Sequence, residues 1–153
     1  MQGVAAAWLM TSLTTSPVPV ALLTTMASLP LFLVGLPAGA LADVVDRRWL
    51  VLVTQVWMLA VAALLGGLVA VGWMTPWLLL TLTFLLGLGG ALSAPAWQAI
   101  VPDLVPRREL ATAVALNSAG FNLARAIGPA FGGLLVAAAG AATVFLLNAV
   151  SFL

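Results

Sequence analysis

Apolar residues run through this chain in long blocks, and each block ends at a short cluster of charged or turn-forming residues. A helix needs roughly 20 consecutive apolar residues to cross about 30 Å of hydrocarbon. Cutting the chain at each interruption leaves four blocks of that length, approximately 20–42, 49–71, 77–100 and 110–138. Two shorter blocks, 1–13 and 142–153, flank them and are expected to be partial spans, interrupted at the ends of the chain. The interruptions are Thr14 to Pro17, Asp43 to Arg48, Gly72 to Pro76, Val101 to Glu109 and the stretch around Gly140. Connections this short force neighbouring helices to run antiparallel. The pattern predicts an all-α, polytopic membrane protein with one transmembrane bundle over residues 1–153.

Composition agrees with the pattern. Of 153 residues, 64% are apolar and only 6% are charged, against about 25% charged in an ordinary soluble domain. Nine charges cannot cover a particle of this size in water, whereas a lipid-facing surface needs none. The first block lacks the basic start and the cleavage site of a signal peptide. With no Cys and no His, thiol nucleophiles, haem ligation by His and the common zinc sites are excluded, so neither a metal nor a cofactor is expected. Ser93 has no candidate base within the spans, which argues against an intramembrane enzyme. A net charge of +1 is far too small for nucleic-acid binding.

The charges instead set topology. Eight of the nine lie in the second and fourth interruptions, which two helices separate and which therefore share a membrane face. Arg47, Arg48, Arg107 and Arg108 place that face in the cytoplasm, and the N-terminus with it. Asp43 to Leu50 and Asp103 to Leu110 agree at five of eight positions. Any cytoplasmic loop needs basic residues, which accounts for much of this. It does not account for Asp43, which closes one helix where a negative charge opposes the helix dipole.

Gly39-Ala40-Leu41-Ala42-Asp43 followed by Arg47-Arg48 resembles the signature loop of the major facilitator superfamily, G-x-L-A-D-R-x-G-R-R. Val44 stands where that pattern has a basic residue, and Asp46 where it has Gly. The resemblance implies that Gly39, Asp43, Arg47 and Arg48 form a cytoplasmic gate loop at the contact between two six-helix halves. It further implies that this chain is the N-terminal half-bundle of six helices, with the first and last incomplete.

The fifth block carries Asn117, Phe121, Ala124, Arg125, Gly128 and Gly132 within an arc of about 100°. Arg125 stands 15 residues after Leu110, about 22 Å along a helix and too deep for easy snorkelling. It must face a cavity, or pair with carbonyls or with an acid on another helix. The run Gly128-Pro129-Ala-Phe-Gly132-Gly133 resembles the fifth-helix motif of exporter branches of the same superfamily, although ordinary packing of small residues is the plain alternative. With Pro95-Ala-Trp97-Gln98 it points to the bacterial branch that includes siderophore efflux proteins.

In the fourth block Thr83, Gly87, Gly90, Ala91, Ala94 and Gln98 form another small or polar stripe. No complete span carries an interior carboxylate, so no proton carrier is visible. The resemblance implies a secondary exporter of small amphipathic organic molecules, drug or siderophore type, working by alternating access. Thr81, Thr83, Gln98, Asn117, Asn122 and Arg125 are its candidate cavity residues. Its expected partners are a small-molecule substrate, the lipid bilayer and a C-terminal six-helix half, and its expected place is the bacterial inner membrane. A proton-coupled importer and a small membrane protein acting as a dimer are the alternatives.

Overall fold

The computed structural model describes residues 1–153, apart from the side chains of Asp43, Val101 and Asp103. Among the described residues the regular elements are helices: α1 (Gln2–Leu13), α2 (Pro17–Val44), α3 (Arg47–Ala70), α4 (Pro76–Leu104), a 3-10 turn (Arg107–Glu109) and α5 (Leu110–Val150). Prolines sharpen two starts. Pro17 and Pro76 occupy first-turn positions, where the missing N–H costs nothing. The Thr75 hydroxyl accepts from Leu78 N at 3.3 Å and caps α4. At α3 the Asp46 carboxylate accepts from Arg48 N (2.8 Å) and Trp49 N (3.1 Å). The acid that departs from the superfamily pattern is thus a helix cap here.

The structure corrects the expected helix count. Among the described residues there are five α-helices rather than six, α5 being continuous in name only across Gly140, where the expected break does occur. At 1.5 Å per residue a straight helix of 41 residues would run about 60 Å, twice the hydrocarbon thickness. Gly140, at φ 80° and ψ 166°, is the non-helical point at which the chain changes direction, a conformation open to glycine and strained for other residues. The expected partial span 142–153 is therefore the distal arm of α5. At the other corrected boundary, α4 continues through Pro102 to Leu104, so the fourth interruption shortens to a few residues around the 3-10 turn.

Four helical stretches are long and apolar enough to cross a membrane: Pro17–Ala42, Arg47–Ala70, Pro76–Ile100 and Arg107–Val150. Helix α4 packs against α2 and α3, while α5 packs against α3 and α1. The core joins Ala6 and Met10 of α1, Val61 and Leu65 of α3, Leu79 and Leu86 of α4, and Val144 and Phe145 of the distal arm of α5. In lipid there is little hydrophobic drive between helices, so close approach at small residues carries the packing. A Cβ at Gly66 would lie 2.8 Å from Leu146 Cδ2, and one at Gly89 would lie 2.6 Å from Met58 Cγ. The outward surface is apolar: Phe32 and Leu36 on α2 are 87% and 91% exposed. In a bilayer that exposure carries no solvation penalty.

Candidate functional site

At the face carrying the charged loops, Ala42, Leu50 and Ala96 pack the end of α2, the start of α3 and the last turns of α4 together. Above them Arg47 Nη1 donates to Ala99 O at 3.4 Å. A guanidinium beside the carbonyl end of a helix is favourable, since those carbonyls carry partial negative charge. Arg48 is exposed beside it, and a Cβ at Gly39 would meet nothing within 4 Å. The Asp43 side chain, the acid of the expected gate loop, lies outside the described residues. In the neighbouring loop Arg108 Nε lies 3.2 Å from Glu109 Oε1, an exposed pair worth little to stability.

Between α4 and the first half of α5 lies an open groove of about 590 Å3, lined by Ser93, Trp97, Gln98, Asn117, Phe121 and Asn122 among others. Three of the sequence-derived cavity candidates, Gln98, Asn117 and Asn122, meet there. Among the described residues, none hydrogen-bonds their side-chain amides. Arg125 does not line the groove, but its guanidinium carbon is 5.6 Å from the centroid of the ring of Phe121, which does, a cation–π distance. The first half of α5 is exposed on all sides from Ala111 to Gly120 except at Ala113. Asn117, Asn122 and Arg125 on this helix are all exposed.

Thr83 is elsewhere. It lines a second cavity of about 590 Å3 between α1, α2 and α4, with Gln2, Ala6, Thr24, Met58 and Gly87. Thr83 is 6% exposed, and its hydroxyl has no partner among the described residues. Nearby, Asn148 Nδ2 donates to Gln2 Oε1 at 2.9 Å, tying the distal arm of α5 to α1. Thr81 donates to Trp77 O at 2.9 Å and lines neither space. Within the glycine motif, Gly128 and Gly132 face Met1, whereas a Cβ at Gly133 would meet nothing within 4 Å, and Pro129 is exposed.

Sequence reasoning missed Gln2, Ser93, Ser118 and Asn148. Their signal was available, since each is a polar residue inside an otherwise apolar block. No group of three or more His, Asp or Glu residues that could hold a metal occurs among the described residues.

The family described as transmembrane secretion effector matches the whole chain, residues 1–153. The chain belongs to this family of major facilitator proteins. It is 33% identical to the "Staphyloferrin A transporter" of Staphylococcus aureus over 80% of its own length and 31% of that protein. It is 32% identical to the MFS-type transporter y4rN of Sinorhizobium fredii over 79% of its length and 30% of that protein. With YfiS of Bacillus subtilis the identity is 29% over 90% of the chain and 32% of the relative. The chain therefore spans about a third of the length of these curated relatives. No solved structure matches it. Family membership and four helices of spanning length make this major facilitator chain a multi-pass membrane protein.

Proposed function

We propose that this chain is the N-terminal bundle of a secondary active transporter that exports small amphipathic organic molecules, of drug or siderophore type, by alternating access. The observation that supports it most is the α4–α5 groove. Gln98, Asn117 and Asn122 leave their amides unpartnered among the described residues, and Arg125 lies against the ring of Phe121, which lines the same groove. Such groups are costly in hydrocarbon and are retained where they meet a ligand or a water-filled space. Trp97 and Phe121 add flat apolar walls, so the groove offers hydrogen bonds and stacking together, which an amphipathic molecule needs. The relative named as a staphyloferrin A transporter makes a siderophore-type substrate a specific candidate.

In this reading the second half of the protein closes over the exposed faces of α2 and α5. The loop of Gly39, Asp43, Arg47 and Arg48 works as the cytoplasmic gate, with the N-terminus in the cytoplasm of a bacterial cell. The test is transport by the full-length protein in a strain lacking its gene. Cells expressing it should retain less of an amphipathic fluorescent dye, or release more of an iron-free siderophore, and an uncoupler should abolish the difference. Faster accumulation on expression would contradict export. No movement of either probe would contradict the substrate class.

A further inference from the structure

We propose that Phe121 is the specificity-determining residue of the α4–α5 groove. With Arg125 laid over one face of its ring, it admits ligands that bear an anionic or electron-rich aromatic group and rejects cationic amphiphiles. The proposal rests on the transport reading above and narrows its substrate class. Phe121 and Arg125 stand one turn apart on α5, where side chains four residues apart are neighbours and a long side chain leans back toward the start of its helix. That geometry sets the guanidinium carbon 5.6 Å from the ring centroid, the one cation–π contact among the described residues. Phe121 lines the groove and Arg125 does not, so the ring stands between the charge and the open space.

An aromatic ring carries negative potential on both faces, which is what draws cations to it. A guanidinium over one face offsets that potential. The opposite face is left as a poor seat for a second cation and a better one for an electron-rich or anionic ring. The rest of the groove does not choose between charges. Among the described residues its lining holds no charged side chain, and the amides of Gln98, Asn117 and Asn122 can donate or accept. From Leu110 to Leu153 Arg125 is the only charge. Glu109, the nearest acid to Phe121 in sequence, is 12 residues away, about 18 Å along a helix. A cationic ligand on the Phe121 ring would therefore face Arg125 with no acid beside it among the described residues, and a low dielectric strengthens that repulsion. Trp97, the second aromatic wall, has no cation over it among the described residues and serves as the control.

Rhodamine 6G and fluorescein share a xanthene ring and carry opposite charges at neutral pH, so their Kd values for the full-length protein in nanodiscs isolate the effect of charge. The parental protein should bind fluorescein at least 10-fold more tightly than rhodamine 6G. Phe121→Leu and Arg125→Ala should each bring the two Kd values within about threefold of one another, and the double variant should go no further. Phe121→Trp should keep the preference, and Trp97→Leu should weaken both dyes alike. The readout is a ratio of affinities in one protein, which a loss of folded material does not move. A parental preference for rhodamine 6G would overturn the assignment. So would a parental ratio in Phe121→Leu, which would give Arg125 a direct contact with the ligand instead. Export of rhodamine 6G as fast as fluorescein would overturn the charge selection and uphold the transport reading. The expected ratio in a protein that moves neither dye would do the reverse, and binding of neither dye would overturn both.

Discussion

Gly132 of α5 lies so close to Met1 that a Cβ on it would sit 2.7 Å from the Met1 Cα. The crossing of α1 and α5 is thus backbone against backbone, and Gly128, one turn earlier, faces the same residue at 3.6 Å. Such contact places helix axes nearer than any side chain would permit. Gly132→Leu should force the two helices apart and destabilise the bundle by about 1–3 kcal/mol, as overpacking does. Gly133→Ala, with open space around it, should be neutral. Thermal unfolding in detergent checks both, and equal melting of the two variants would refute the role of the crossing.

The Asp46 carboxylate holds two amides of the first turn of α3. Asp46→Ala should cost about 1 kcal/mol of helix capping, and Asp46→Asn much less. Hydrogen exchange at the Arg48 and Trp49 amides reads this locally. About fivefold faster exchange is expected in the Ala variant, and unchanged exchange would remove the cap from the account.

Four arginines in alternate loops predict the topology, with those loops cytoplasmic. Single cysteines at Val45 and Val105 should react with an impermeant thiol reagent in inside-out vesicles, and one at Trp73 should not. Trp73 is suited to the opposite face because it is 74% exposed in the turn between α3 and α4. Labelling of position 73 alone would reverse the orientation.

Much of the fold was legible because spanning helices need only length and hydropathy, which local sequence carries in full. Helix ends were less so. Pro102 reads as a terminator, yet α4 continues past it, as helices with tertiary support can. Gly140 lies among alanines that fit a helix or a turn equally well, so whether two helices or one bent helix resulted was not readable. For the candidate site, polar residues within apolar blocks identified Gln98, Asn117 and Asn122. Their grouping with Thr83 did not follow, because 15 residues of helix, about 22 Å, separate Thr83 from Gln98 and allow two spaces on one helix. The Gln2–Asn148 bond joins residues 146 apart in sequence, and no local pattern announces a pairing of that kind.

Asp43 tests the gate loop, since helix stability gives no reason for an acid at the end of α2. Asp43→Asn should insert in normal amounts while transport falls at least several-fold. Parental transport by a well-expressed variant would reduce the loop to a topology signal.

The central claim is that the α4–α5 groove binds substrate with Arg125, behind Phe121, taking part, and equilibrium binding of a siderophore or dye carried by the parental protein tests it most directly. Lys keeps the charge of Arg125 but loses the planar fork that holds two anionic oxygens. Arg125→Lys and Arg125→Ala should therefore both yield folded protein, with affinity lowered by about 1.5–3 kcal/mol, a factor of roughly 10 to 150 in Kd. Parental affinity in an Arg125→Ala protein with an unchanged melting temperature would contradict the claim.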